Sequence, residues 1–264
     1  MRASWLKDES FDVVVDDHQL RVRRLEVADP ASSATLVFLH ESLGSIAVWR
    51  DFPDRLAMRL GMNAVVFDRR GYGESSASVG RRSPAYLEDE AQRLGGLLDR
   101  LGITSAVLFG HSDGGSIALL AAALFPQVVR AIATEGAHVF VEERTLHGIR
   151  TARATLRHTK LREKVMRYHG DKTDAILSAW FDTWLSPDFR NWNIESYLSR
   201  VVCPALVIQG IDDEYGTEEQ VRAIAAGVSG PAESLMIPGV RHTPHREATE
   251  MVIDATARFL RLLL

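Results

Sequence analysis

The chain holds a single cysteine, Cys203, in 264 residues. A lone thiol makes no disulfide within the chain and no zinc site by itself, so a reducing, cytoplasmic setting is expected. Long hydrophobic runs are also missing. The most apolar stretch, residues 117–133, is broken by Pro126 and Arg130, and it is too short and too punctuated to span a bilayer. The first ten residues carry Lys7, Asp8 and Glu9 and no apolar block, so no signal peptide is read there. Neither sign of charge dominates. Lys and Arg number 31 against 35 Asp and Glu, a net −4 that gives no electrostatic reason to expect nucleic acid. Repeats and low-complexity runs are absent. Five of the nine histidines (His18, His138, His147, His158 and His169) lack metal-ligand spacing with carboxylates, and His242-x-x-His245 alone supplies too few ligands for zinc. No Gly-x-Gly-x-x-Gly follows the first strand, which removes a dinucleotide site.

What is present is ordinary globular material, 46% hydrophobic and 25% charged, long enough for one large α/β domain. Strand-like and helix-like segments alternate. Phe11–Val15 and Leu20–Leu25 read as a hairpin around Asp16-Asp17, and short apolar strands are expected at Leu36–His40, Ala64–Asp68, Ala106–Phe109, Val129–Thr134, Ala205–Gln209 and Ser234–Ile237. Helices are expected at Pro84–Leu101, Gly114–Leu124, about Thr217–Val228, and the tail 251–264. The tail is apolar at helical spacing with Arg258 and Arg261 interposed, so it should pack on the core rather than anchor in a membrane. Apolar strands alternating with helices imply a mostly parallel sheet covered on both faces. Residues 136–200 break the rhythm. They hold no convincing strand, three of the five tryptophans, and 11 basic against 8 acidic residues, so the rest of the chain carries −7. A segment of 65 residues exceeds what a crossover needs, and a helical insertion over the sheet is expected.

The sequence Leu108-Phe109-Gly110-His111-Ser112-Asp113-Gly114-Gly115 places Gly-x-Ser-x-Gly between a strand and an apolar helix. In that context the turn is so tight that the serine takes strained backbone angles and only glycine fits two positions either side. The hydroxyl is raised above the sheet, and the helix N-terminus faces developing negative charge. A serine nucleophile needs a base and an acid to orient it. His242 lies in a loop after the last strand and Asp213 in a loop after Ala205–Gln209. The order Ser112, Asp213, His242 is the one expected of α/β-hydrolases.

On these residues the chain resembles the α/β-hydrolase superfamily over nearly its whole length. His40-Glu41-Ser42-Leu43-Gly44 is similar to the family's strand-end histidine motif, with Glu41 where glycine is usual. Asp68-Arg69-Arg70-Gly71-Tyr72-Gly73-Glu74-Ser75 resembles the family's Asp-x-Arg-Gly-x-Gly-x-Ser. Gly210-Ile211-Asp212-Asp213 resembles its Gly-x-x-Asp and selects Asp213 over Asp212. Arg241 stands where glycine usually precedes the histidine, and the spacing favours His242 over His245. The resemblance implies an eight-stranded α/β-hydrolase fold, with a core of residues 1–135 and 201–264 and a helical cap of 136–200. It also implies an oxyanion hole made of the backbone N–H groups of Ser42 and Asp113. Serine at the elbow centre excludes the branches that need a carboxylate there.

The chemistry so implied is acyl transfer to water on a small carboxylic ester or lactone, with no cofactor and no metal. A carbon–carbon hydrolase of vinylogous diketones uses the same three residues, and a non-catalytic binding protein of this fold is the third reading. The expected partner is a small-molecule substrate, with a homodimer admissible and with neither nucleic acid nor membrane. His111, Trp180 and Trp184 are candidate pocket residues. The seven basic residues between Arg150 and Arg167 read as a solvated helix face, and Asp113 beside the nucleophile favours a cationic or neutral substrate group.

Overall fold

The computed structural model describes residues 7–78 and 82–261. The reading of the first six residues, and of the last three of the tail, lies outside the described residues. The chain opens on a hairpin of β1 (Lys7–Val15) and β2 (His18–Glu26), with Val15 facing His18. Its two-residue turn needs left-handed backbone, and Asp16 and Asp17 supply it at φ 48° and 62°. Aspartate is one of the few side chains that tolerate this region. β1 extends further toward the N-terminus than expected. Its charged end is an edge that needs no burial, and Asp8 pairs there with Arg23 at 2.7 Å.

The remaining strands are β3 (Thr35–Leu39), β4 (Ala64–Phe67), β5 (Ala106–His111), β6 (Val129–Glu135), β7 (Ala205–Gly210) and β8 (Ala232–Ile237). They form one eight-stranded sheet in the order β1-β2-β4-β3-β5-β6-β7-β8, antiparallel at the first two pairings and parallel from β4 onward. From β3 the chain moves first to one side, to β4, and then to the other, to β5. The crevice beyond the C-terminal ends of β3 and β5 is therefore the topological switch point, where open parallel sheets bind ligands. His40–Ser42 and Ser112 follow those two strand ends directly.

Both faces are covered. On one, α1 (Phe52–Leu60) and α10 (Thr249–Arg261) bury Leu56, Val252, Phe259 and Leu260 against Phe38, Phe109 and Ile208. The tail thus packs on the core as its spacing indicates. Fully burying side chains of this size contributes about 1.5–3 kcal/mol each. On the other face lie α2 (Tyr86–Arg100) and α3 (Asp113–Leu124), followed by four helices between β6 and β7 and by α8 (Glu218–Gly227). The four are α4 (Glu143–Thr155), α5 (Leu161–His169), α6 (Thr173–Trp184) and α7 (Glu195–Leu198). The only pairing in that stretch, among the described residues, is an isolated bridge between Phe140 and Asn193. Its aromatic residues Trp180, Trp184, Phe189 and Trp192 belong to the same apolar cluster as Leu94, Leu98 and Ile117 of α2 and α3. The stretch therefore shares its core with the sheet.

Two helices escape a periodicity reading. α1 has nine residues, and α9 (Pro244–Glu247) has four, each with proline in its first turn. Such proline reads as a turn, yet φ near −65° suits a helix start. Among the described residues no helix is long and apolar enough to cross a membrane.

Candidate active site

Strand β5 runs straight into α3, and Ser112 is the residue between them. Its backbone sits at φ 54°, ψ −118°, a region that a non-glycine residue occupies only under strain. The neighbours explain the constraint. A Cβ on Gly114 would come 1.9 Å from the carbonyl oxygen of Leu39 in β3, and one on Gly110 would come 2.2 Å from that of Gly114. Glycine lets α3 press against the sheet, which fixes where the serine projects. Gly114→Ala cannot be absorbed by a flexible side chain, because backbone stands in the way. It should cost on the order of 3 kcal/mol or more in urea unfolding.

Ser112 Oγ lies 3.0 Å from His242 Nε2, and His242 Nδ1 lies 2.9 Å from both carboxylate oxygens of Asp213. The ring thus donates from Nδ1 to the carboxylate and accepts a hydrogen bond from the Ser112 hydroxyl at Nε2. Asp213 is buried at the end of β7, and its Oδ1 also accepts from the N–H groups of Tyr215 and Gly216. Burial opposes its charge, but His242, the Tyr215 N–H and His138 outweigh burial and bring its pKa down to about 2. For His242 burial works downward, and the adjoining Asp213 carboxylate overrides it, so its pKa is raised above the ordinary histidine value. Asp212 is exposed and its backbone amide bonds Val240. Geometry therefore selects Asp213 of the two acids.

His245, the competing base, is elsewhere. It is buried with Nδ1 2.7 Å from Glu135 Oε2, its ring against Trp49 and Phe52. His111 is also buried, and its Nε2 donates to the backbone oxygen of His242 at 2.7 Å. Its bond holds the His242 loop in place from behind. Trp180 and Trp184 are buried. Trp184 Nε1 donates to Tyr86 Oη at 3.0 Å, and its ring lies 5.3 Å from that of His138. The basic side chains between Arg150 and Arg167 are all exposed, as a solvated face requires.

The loop after β3 carries Ser42, which is buried. No protein group among the described residues accepts from the N–H of Ser42 or of Asp113. The carbonyl of Glu41, in the same peptide unit as the Ser42 N–H, accepts from His40 Nδ1 at 2.8 Å and from Arg69 Nη2 at 3.0 Å. The Gly44 N–H donates to the same oxygen at 3.0 Å, and the three donors fix the plane of the peptide. The Asp113 carboxylate, buried beside Ser112, faces Arg69 Nη2 at 3.6 Å. A cation is therefore already built in where a cationic substrate group was expected.

Four contributors go beyond the motif residues. Gly136, at φ 54°, passes so close that a Cβ there would lie 2.9 Å from the His242 ring. Tyr215 packs its ring 4.8 Å from that ring, His138 lies 6.1 Å from it, and Arg69 braces the Ser42 peptide. The signal for Gly136 and His138 was their position just past the end of β6, on the same edge as the serine. Among the described residues no group of three or more His, Cys, Asp or Glu side chains is arranged to hold a metal ion.

A mostly parallel eight-stranded sheet with a strained serine at its switch point is the framework of the α/β-hydrolase class. The family model described as alpha/beta hydrolase fold matches residues 34–197, and the chain belongs to that family. It is 30% identical to the human protein named serine hydrolase BPHL over 187 residues, covering 69% of this chain and 63% of that one. It is 29% identical to a 2-hydroxy-6-oxononadienedioate/2-hydroxy-6-oxononatrienedioate hydrolase of Burkholderia vietnamiensis, covering 77% of this chain and 78% of that one. Among the curated relatives it matches first, the chain spans from 32% to 78% of their length. A solved 2-hydroxy-6-oxo-6-phenylhexa-2,4-dienoate hydrolase from Rhodococcus sp. strain RHA1 superposes with a TM-score of 0.81 at 15% identity, over 97% of this chain and 99% of that one.

Proposed function

We propose that this protein is a serine hydrolase that cleaves a small carboxylic ester or lactone through an acyl-enzyme. The observation that carries the reading is the continuous relay from Ser112 Oγ through His242 to Asp213, with bonds of 3.0 and 2.9 Å. Ser112 Oγ attacks the carbonyl carbon as His242 Nε2 takes its proton. Asp213 holds the ring and stabilises the imidazolium. The oxygen that gains charge is held by the N–H groups of Ser42 and Asp113, and losing one such donor typically costs roughly 3 kcal/mol. The alkoxide leaves with the proton from His242. Water, deprotonated by the same nitrogen, then releases the acid. Residues 136–200 act as a cap over the crevice, with Trp184 and His138 toward the reaction centre.

A second reading keeps the same residues for a carbon–carbon bond. The match to the Burkholderia hydrolase along about three quarters of both chains supports it. The two readings separate by substrate. Purified protein should react with a fluorophosphonate at Ser112 and hydrolyse p-nitrophenyl acetate or small lactones faster than a vinylogous diketone. The reverse preference would establish the carbon–carbon reading. Failure of Ser112 to be labelled in folded protein would remove both.

A further inference from the structure

A cavity of about 290 Å³ lies beside the crevice, between the β4 loop, α2 and α6. Among the described residues its wall carries five cations: Arg69, Arg70, Arg82, Arg93 and Lys172. Two carboxylates, Asp89 and Glu90, share that wall, and Asp113 stands behind Arg69. Even with all three acids counted, the cations are in excess by two.

Lys172 Nζ is engaged, donating to the carbonyls of Tyr72 and Ser75 at 3.3 and 2.7 Å, but the arginine donors are not used up. Arg69 is 2% exposed, yet among the described residues its Nε has no partner, and the same holds for Nε of Arg70 and Arg93 and for Nη1 of Arg82. Leaving a buried donor unpaired costs about 1–3 kcal/mol. These four donors belong to side chains that line one cavity, and the excess of positive charge on its wall suits an anion. Other contacts hold the heads in position. The Arg82 guanidinium lies over the rings of Tyr72 and Tyr86, at 5.5 and 4.9 Å, and bonds the Tyr72 hydroxyl. Arg93 pairs with Glu90 at 3.2 Å. Arginine forks match the oxygens of carboxylate and phosphate.

We propose that this cavity binds a small anion, a carboxylate or a phosphate, and that it is a site distinct from Ser112 and His242, neither of which lines it. Arg69 links the two. Its Nη2 supports the Glu41 carbonyl, and thus the Ser42 amide, while the same guanidinium reaches the cavity. An anion drawn to Arg69 competes with that carbonyl. On the proposed function it therefore changes the rate of the chemical step and leaves substrate binding unaltered.

The test uses the full chain with inorganic phosphate and, separately, acetate, against chloride at equal ionic strength. Calorimetry should give saturable one-to-one binding for at least one of them, and near-saturating ligand should raise Tm by roughly 2–4 °C. R82Q and R93Q should each weaken binding by about tenfold or more, whereas K164Q, on the exposed basic face, should leave it unchanged. Arg93 is partly exposed, so R93Q remains informative if R82Q fails to fold. Tighter binding of acetate marks a carboxylate site and tighter binding of phosphate a phosphate site. No saturable binding, or equal weakening by K164Q, overturns the proposal. A kinetic arm with p-nitrophenyl acetate should show altered kcat at constant KM, and competition with the ester would overturn the separate placement. Binding without any esterase activity would count against the proposed function alone, because calorimetry does not depend on it.

Discussion

Ser112→Ala should lower turnover of any substrate by roughly 10^4- to 10^6-fold and move Tm by no more than about 2 °C. The side chain contributes one hydrogen bond, to His242 Nε2, and that nitrogen sits on a ring that is 12% exposed, so water can replace the hydroxyl. The bonds that hold the turn belong to the backbone. The Ser112 N–H donates to Glu135, and its carbonyl accepts from Gly115 and Ser116. A structural serine behaves otherwise: its loss lowers Tm and leaves catalysis. Ser112→Gly sharpens the contrast. Glycine occupies φ 54° without penalty, so this variant should be as inactive as the alanine one and melt at a higher temperature. Calorimetric melting of the three proteins, beside their steady-state rates, measures both effects. If Ser112→Gly melts below Ser112→Ala, the backbone there is not strained.

The elbow was legible because its chemistry is local. Gly110, Ser112 and Gly114 are close in sequence, and their spacing shows the tight turn even though one of the contacts that require glycine, that of Gly114 with Leu39, comes from β3. The strand–helix alternation was legible because parallel strands buried on both faces read as short apolar runs, as Ala64–Phe67 and residues 205–208 do. What stayed hidden depends on approach between distant segments. Arg69 looks like one basic residue in a charged turn until the fold buries it against Glu41, Glu90 and Asp113. His242 and His245 stand three residues apart, one in the loop before α9 and the other in that helix. Only the position of Glu135, 110 residues earlier, sends one into the core and leaves the other over the serine. The aromatic cluster of residues 180–192 gave no sign that it shares its packing with α2, because apolar content alone does not name a partner.

Asp213→Asn should cut kcat by about 10^4-fold, whereas Asp212→Asn should change it less than about twofold. An amide in place of the carboxylate no longer favours the Nδ1–H tautomer or the imidazolium, while Asp212 is exposed and touches neither. The pH dependence separates this from a loss of fold. In the proposed mechanism His242 must be neutral to accept the serine proton, and its pKa is raised. The acid limb of kcat/KM should therefore rise through a pH above 6.5. Without that carboxylate, burial is opposed only by the more distant charges of Glu214 and Glu41, and the residual activity of Asp213→Asn should have its acid limb below that of the wild type. Stability follows the same pair. Asp213 has its pKa depressed to about 2, so its contribution is present above the unfolded value near 3.8 and is lost as pH falls toward 2. His242 has its pKa raised, so its contribution is complete below about 6.5 and is lost as pH rises through the folded value. The wild type should exceed Asp213→Asn in Tm most between about pH 4 and 6.5, with the gap closing on both sides. A gap that stays constant from pH 3 to pH 9 would mean that the carboxylate acts by packing and not by its charge on His242.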